Sequence, residues 1–401
     1  MDYQNFFAAG LDKLKTEGRY RVFANLERQV GNFPQAKNHG LNKTVTVWCS
    51  NDYLGMGQHP DVLQAMHNAV DAMGAGSGGT RNISGTTYLH MELEKEVADL
   101  HDKAAALIFT SGYVANETVL STLGRHIPDL VIFSDAKNHA SMIEGIRNSR
   151  AEKIIFKHND IAHLEDLLKL QDINRPKLIA FESVYSMDGD VSPINDICNL
   201  AQKYNALTYL DEVHGVGLYG HKGGGIAQMM NVANKIDIIQ GTFGKAIGTI
   251  GGYIAGDTTL IDFVRSHAPG FIFTTTLPPA IVAGTLASIK HLKISNAERQ
   301  MQQLRVTQLK QSLHKSKIPF LEAPSHIVPV IIGDSQKCKD ISDILMEEYH
   351  IYVQPINYPT VAIGSERFRL TPSPLHTEEM IKDLVTALSE IWCRLGIRLA
   401  A

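Results

Sequence analysis

The sequence predicts an α/β protein, with a large domain on a mostly parallel sheet and a smaller α+β domain toward the C-terminus. Three observations carry this expectation. From Leu89 to about Ala255, short apolar runs alternate with helical patterns, as in a sheet covered on both faces. After Thr276 the texture changes to long helical stretches separated by a few short strands. Hydrophobic residues make up 44% of the 401 positions and charged residues 20%, ordinary proportions for a globular chain with a large core.

In chain order, residues 1–58 read as an entry arm. It holds a helix over Tyr3 to Lys15, the segment Gly18-Arg19-Tyr20-Arg21, short strands around Thr44 to Trp48, and a polar turn over Asn51 to Gly55. The large domain is expected over 59–276. His59-Pro60 introduces a helix that runs to Met73, because proline suits the first helical position. The alternation then places helices at Leu89–His101, Tyr113–Leu123, Ser141–Arg147, Ile161–Leu170 and Ile194–Tyr204. Strands fall at Ala105–Thr110, Leu130–Ser134, Lys153–Phe156, Lys177–Phe181, Leu207–Leu210 and Ile236–Gln240, the last breaking on Gly241. The third segment, 277–401, holds helices at Pro278–Lys293, Ala297–His314, Lys337–Tyr349 and Glu378–Leu395, with strands at Ile327–Ile332 and Arg367–Thr371.

Composition excludes several function classes. A net charge of −4 without a basic run offers nothing to nucleic acid. The four cysteines are scattered and form no Cys-x-x-Cys, so neither a disulfide framework nor a zinc finger is expected. No apolar run has the length of a membrane span. Asp2, Asp12 and Glu17 make the first residues read as an amphipathic helix rather than a leader, so a cytoplasmic location is expected. The 17 histidines show no metal-ligand spacing, and no metal is expected. Gly74, Gly76 and Gly79 match a dinucleotide fingerprint in form, but they follow a helix rather than a strand, so that reading fails. No Walker-type loop is present.

The chemistry concentrates at predicted strand ends, where open α/β sheets gather their ligands. Lys245 sits among glycines at 241, 244, 248, 251 and 252 and beside small or apolar residues. Such neighbours desolvate an amine and make it a nucleophile toward a carbonyl; an ordinary glycine-rich loop is the alternative. One strand upstream, Asp211-Glu212-Val213-His214 offers a carboxylate to hold a pyridine nitrogen protonated and an imidazole for a ring hydroxyl. Gly112 and Tyr113 open a helix whose free amides suit a phosphate, and Thr242 offers a hydroxyl. The loop Ser134 to His139 brings an imidazole that can lie on a cofactor ring, and Ser186 ends another strand. Thr80 and Asn82 offer donors from the loop Gly74 to Thr87. Arg367 and Arg369 share one strand face, from which Arg369 can clasp a carboxylate.

With these pieces placed, the chain resembles the α-oxoamine synthase family of fold-type I pyridoxal phosphate enzymes from about Tyr20 to Leu395. The lysine motif is Gly241-Thr242-Phe243-Gly244-Lys245-Ala246 and the acidic motif Asp211 to His214. Further pieces are Gly78 to Thr86, Asn138 to Arg147 and Pro355 to Val361. Phe243 stands where the family commonly has leucine, and Ile247 where an aromatic is usual.

The resemblance implies a seven-stranded sheet and a homodimer with shared active sites. It implies condensation of glycine with succinyl-CoA, losing CoA and carbon dioxide and giving 5-aminolevulinate. Lys245 would bond the pyridoxal phosphate covalently and act on the α-proton, Asp211 would face the ring nitrogen, His139 would stack on the ring, and His214 would bond the ring oxygen. Gly112, Tyr113 and Thr242 would hold the phosphate, joined across the dimer interface by Thr274. Arg369 would take the glycine carboxylate, and Arg21, Asn82 and Thr360 the succinyl carboxylate. Asn51, Thr80, Ser134 and Ser186 would line the site. Sister activities with neutral acyl chains need no such carboxylate reader, so Arg21 and Thr360 discriminate between them.

Overall fold

The computed structural model describes residues 1–400. They divide into two compact units, residues 56–186 with 190–299, and residues 1–55 with 187–189 and 300–400. The sequence reading cuts the chain at 58 and 276, whereas packing cuts it at 55 and 299. Two contacts explain the difference. Helix α11 packs on α2 and α3 of the larger unit, and strand β12, late in the chain, pairs in parallel with β3 of the N-terminal arm.

The arm begins with α1 (Tyr3–Thr16), started by the Asp2 side chain, which accepts the Gln4 and Asn5 amides. Strands β1 (Leu26–Arg28), β2 (Gln35–Asn38) and β3 (Lys43–Val47) follow as an antiparallel meander. The larger unit opens with α2 (Pro60–Met73), proline at its first turn and Gly74 ending it at φ 81°. Helix α3 (Tyr88–Leu100) comes next, entered through a Thr87–His90 capping box.

The alternation then runs β4 (Ala105–Phe109), α4 (Gly112–His126), β5 (Val131–Asp135), α5 (Ala140–Ser149), β6 (Glu152–Phe156), α6 (Ile161–Lys169), β7 (Lys177–Glu182), α7 (Ile194–Lys203) and β8 (Ala206–Asp211). The short α8 (Ile226–Met229), β9 (Ile238–Thr242) and β10 (Gly252–Gly256) complete the seven-stranded sheet, in the order β4-β10-β9-β8-β7-β5-β6. Only β10 runs antiparallel to its neighbours, so the expected mostly parallel sheet is what forms. Apart from the largely exposed edge strand β6, its strands are buried on both faces, and that is why they read as continuous apolar runs. Helix α4 covers one face with Ala115, Val119, Leu120 and Leu123, a stripe at helical spacing.

One strand boundary needs correction. Gly241 lies inside β9, not at a break, and the strand continues to Thr242. A Cβ on Gly241 would collide with the hydroxyl of Tyr253 on the antiparallel neighbour, so this glycine makes room for a ring and breaks nothing.

The larger unit closes with α9 (Thr258–His267), α10 (Pro269–Ile272) and α11 (Pro279–Ile294). Helix α12 (Ala297–Lys315) leads into the remaining segment: β11 (Val328–Ile331), α13 (Ser335–Glu348), β12 (Ile351–Tyr352), β13 (Pro355–Ile356), β14 (Arg367–Leu370) and α14 (Glu378–Arg394). There β11, β14 and β13 form a three-stranded antiparallel sheet, and β12 adds to the meander as a fourth strand. The smaller unit's core gathers Trp48, Leu309, Val330, Phe368 and the α14 stripe Leu384, Leu388, Ile391 and Trp392. Burying each such side chain contributes about 1.5–3 kcal/mol. No helix among the described residues is long and apolar enough to cross a membrane.

Candidate active site

Strand register assembles the centre of the site. Asp211 pairs with Glu182 on β7 and with Gln240 on β9, so three polar side chains stand side by side on adjacent strands. All three are buried. The Asp211 carboxylate accepts hydrogen bonds from Asn116 Nδ2 and from the Val213 amide, both at 2.8 Å. Burial raises its pKa, while these bonds and the charges of His139 and Lys245 pull the other way. Glu182 is pushed up more strongly by burial and by the Asp211 charge, and its Oε1 accepts the His139 amide at 2.6 Å.

Asn116, on α4, was not legible as a site residue and proves to be the hub. Its Oδ1 accepts from Tyr209 at 2.8 Å, and its Nδ2 donates to Ser141 Oγ at 3.0 Å as well as to Asp211. Ser141 Oγ in turn lies 2.7 Å from His139 Nδ1, which also accepts the Ser141 amide as the cap of α5. Nδ1 is thereby the acceptor nitrogen, and Asp211 and His139 are tied through one buried relay. By surface area His139 is exposed, yet enough protein surrounds the ring for desolvation to lower its pKa, with the Asp211 charge opposing this. The Tyr113 ring meets it edge to face at 6.4 Å.

Lys245 is half-buried, and its Nζ lies 2.5 Å from Nε2 of the buried His214. The backbone holds it in a tight turn in which the Gly248 amide donates to the Lys245 carbonyl at 2.8 Å. Gly248 adopts φ 82°, and a Cβ there would overlap the backbone of Gly57. Phe243 and Ile247, the two departures from the family pattern, are buried beneath the loop, and Phe243 stacks on Tyr253 at 5.1 Å.

The predicted phosphate region is also built within this unit. Ser111 Oγ accepts the Val114 amide at 3.1 Å, and α4 starts at Gly112, so the Gly112 and Tyr113 amides are those left to an anion. A Cβ on Gly112 would meet Gln240 and Thr242, which closes off one side of the helix start. Thr242 Oγ1 donates to the Gly251 carbonyl at 2.9 Å and accepts the Gly244 amide at 3.1 Å, so it also braces the lysine loop. Ser134 is buried and bonded to Asn138 Nδ2 at 3.0 Å, holding the loop that bears His139. Thr80 and Thr275 form an isolated bridge, tying the glycine-rich loop to the segment of half-buried Thr274. Asn82 is exposed on the turn Arg81–Gly85, and Ser186 is half-buried beyond β7.

The smaller unit carries the remaining predicted residues. Arg21 Nη2 lies 3.4 Å from Thr360 Oγ1, both exposed and both lining a cavity of about 860 Å³ with Tyr20, Asn25, Tyr352 and Asn357. Arg369, half-buried on β14, donates to Asn51 Oδ1 at 2.6 Å. Its strand neighbour Arg367 is buried and paired with Asp188.

A second network braces the larger unit's loops and was not legible in the sequence. His158 bonds Asp135 through Nδ1 at 2.8 Å and Asp190 through Nε2 at 2.6 Å. It links the loop after β5, which bears His139, to the loop after β7, which bears Ser186. Burial pulls the His158 pKa down, but the two aspartates more than reverse this and raise it to about 9. A histidine whose pKa rises on folding adds stability that is full below its unfolded value, near 6.5, and lost as pH climbs through about 9. His158→Gln is therefore expected to cost about 2–3 kcal/mol at pH 6 and distinctly less at pH 10, read from denaturant midpoints. Equal losses at both pH values would refute the charged clamp.

Comparisons with known proteins agree with this architecture. The family model for aminotransferase class I and II matches residues 43–388. The 5-aminolevulinate synthase of Rhizobium meliloti (strain 1021) is 58% identical over 399 residues, 99% of this chain and 99% of that protein. That of Bradyrhizobium diazoefficiens is 57% identical over 401 residues, 100% of this chain and 98% of the relative. Serine palmitoyltransferase from S. paucimobilis, solved with bound PLP and myriocin, superposes with a TM-score of 0.90 at 29% identity, covering 98% of each chain. The chain belongs to the aminotransferase class I and II family, with its fold-type I architecture, and within it to the 5-aminolevulinate synthase family.

Proposed function

We propose that the protein is a pyridoxal phosphate-dependent acyltransferase that condenses glycine with succinyl-CoA, releasing CoA and carbon dioxide and giving 5-aminolevulinate, the entry compound of tetrapyrrole and haem synthesis. The observation that carries this is the strand-end cluster of Lys245, His214, Asp211 and His139 in a chain 58% identical to a 5-aminolevulinate synthase over its full length.

The residues fit the cofactor. Asp211 is a buried carboxylate whose charge burial disfavours, so a protonated ring nitrogen is the partner that would stabilise it. The exposed ring of His139 offers a flat surface on which a heterocycle can rest. Gly112 and Tyr113, at the start of the 15-residue α4, present amides and a helix dipole to a phosphate, with Thr242 and Thr274 as further donors. When bound, pyridoxal phosphate withdraws electrons from the amino acid's α-carbon and makes its α-hydrogen acidic.

The chain's own groups then divide the work. Lys245 would hold the cofactor and its Nζ would take the α-proton; His214, whose Nε2 lies 2.5 Å from that nitrogen, orients it. The relay through Asn116 and Ser141 fixes His139 and Asp211, so little reorganisation accompanies the proton's removal. Arg369 receives the glycine carboxylate with its guanidinium, steadied by Asn51. Arg21 and Thr360, with Asn82, read the distal carboxylate of the succinyl group; the arginine and hydroxyl sharing one cavity support an anionic acyl end over a neutral one. Thr80 and Ser186 line the site, and Ser134 positions the His139 loop from beneath. A homodimer with shared sites belongs to the same proposal. Ile83, beside Asn82, and Phe273, beside Thr274, are exposed apolar side chains that a second copy would cover.

The test is product formation from glycine by the holoenzyme with succinyl-, acetyl- or pimeloyl-CoA. The expected result is 5-aminolevulinate from succinyl-CoA, with turnover of the other thioesters lower by about 100-fold or more. Preference for a neutral thioester would overturn the reading of Arg21 and Thr360 and leave that of Lys245 standing.

A further inference from the structure

Away from the strand ends, the larger unit brings together three potential ligands from distant parts of the chain. His59 precedes α2, His291 lies in the last turn of α11, and Glu298 in the first turn of α12. Their ligand atoms all lie within 4.8 Å of one another. The imidazole centroids are 4.3 Å apart, and His291 Nε2 is 2.8 Å from Glu298 Oε1. We propose that His59, His291 and Glu298 bind a divalent transition-metal ion of the zinc class, with a fourth position open to water.

The donor set argues for that class of ion. Two imidazoles and one carboxylate suit zinc and its neighbours, whereas magnesium and calcium take oxygen ligands. Metal–ligand distances of about 2.0–2.2 Å in a tetrahedral site put the donors roughly 3.3 Å from one another. That spacing lies between the 2.8 Å His291–Glu298 contact and the 4.8 Å limit of the group, so small side-chain rotations complete the site.

The surroundings are those of a prepared ligand. Ser295 Oγ donates to Glu298 Oε2 at 2.6 Å and leaves Oε1 toward the histidines. The His59, His291 and Glu298 side chains are 24%, 21% and 20% exposed, held by protein yet open to an ion from solution. Glu298 is one residue before Arg299, where the larger unit ends. An ion there would staple the start of α2 to the end of α11 and the start of α12, and stabilise the unit by mass action.

The test uses tag-free holoenzyme on a Cys393→Ser background, because Cys393 is an exposed thiol that competes for zinc. Zinc is titrated calorimetrically, and Co²⁺ reports coordination through its visible absorption. The expected result is uptake of one ion per chain, a Co²⁺ spectrum of a low-coordinate site, and a higher melting temperature with zinc. His291→Asn and His59→Gln should each lower the affinity at least tenfold while folding cooperatively without metal, His59→Gln melting slightly below the parent because His59 Nδ1 accepts the Asp61 amide as the cap of α2. If either variant fails to fold, Glu298→Gln takes its place with the same expectation. Absence of uptake by the parent, or equal uptake by parent and variants, overturns the proposal.

Discussion

Lys245→Ala is expected to lower the rate of 5-aminolevulinate formation by about a thousandfold or more, the scale on which losing a positioned nucleophile and base acts. The fold should survive. Lys245 is half-buried, its loop is held by backbone bonds around Gly248 and by buried Phe243 and Ile247, and none of these involves the amine. Lys245→Arg should fare no better, since a guanidinium keeps its proton at working pH and cannot accept another. Steady-state assays with a circular-dichroism check on folding decide the matter. A variant that keeps a tenth of wild-type turnover would mean that another group removes the proton.

Asp211→Asn should affect activity far more than stability. Without the carboxylate charge nothing holds a ring nitrogen protonated, so kcat is expected to fall by about 10²–10⁴-fold. The apoprotein, by contrast, should melt within a few degrees of the parent. Burial raises the folded pKa of Asp211, so above its unfolded value the ionised group destabilises the empty fold, and an amide of the same shape removes that cost. This is offset by its NH2 facing one of two donors, Asn116 Nδ2 or the Val213 amide. The benefit should fade as pH falls toward 4, where an unfolded aspartate also takes its proton. Thermal melts of the apo forms at pH 7 and pH 4.5 give the comparison. A strongly destabilised variant at pH 7 would mean that the bonds from Asn116 and Val213 need the charge.

The parts of the site legible in the sequence were those whose chemistry is local. Lys245 and the Asp211–His214 pair announce themselves by their neighbours and by their places at strand ends. The expected sheet follows from runs such as Leu178 to Phe181, whose burial on both faces leaves no alternation to misread. What stayed hidden depends on contacts between distant segments. Asn116 reads as one more polar position on α4, and only packing brings it to Asp211, 95 residues later. His158 joins Asp135 and Asp190 for the same reason. Gly241 looked like a strand break because the ring that claims its space belongs to Tyr253, across an antiparallel pair that apolar pattern alone does not reveal. The tie between the N-terminal arm and the C-terminal segment stayed hidden because it runs through β12, a strand of two residues that pairs with β3 of the meander.

If the strand-end cluster labilises the α-hydrogen of glycine through Lys245, isotope exchange reveals it with the acyl donor left out. Holoenzyme is mixed with glycine bearing deuterium at both α-positions, and loss of label to water is followed by NMR. The expected result is that one of the two deuterons is lost from a single face, that the other is retained, and that Lys245→Ala abolishes the loss. Exchange that persists at the wild-type rate in Lys245→Ala would contradict it.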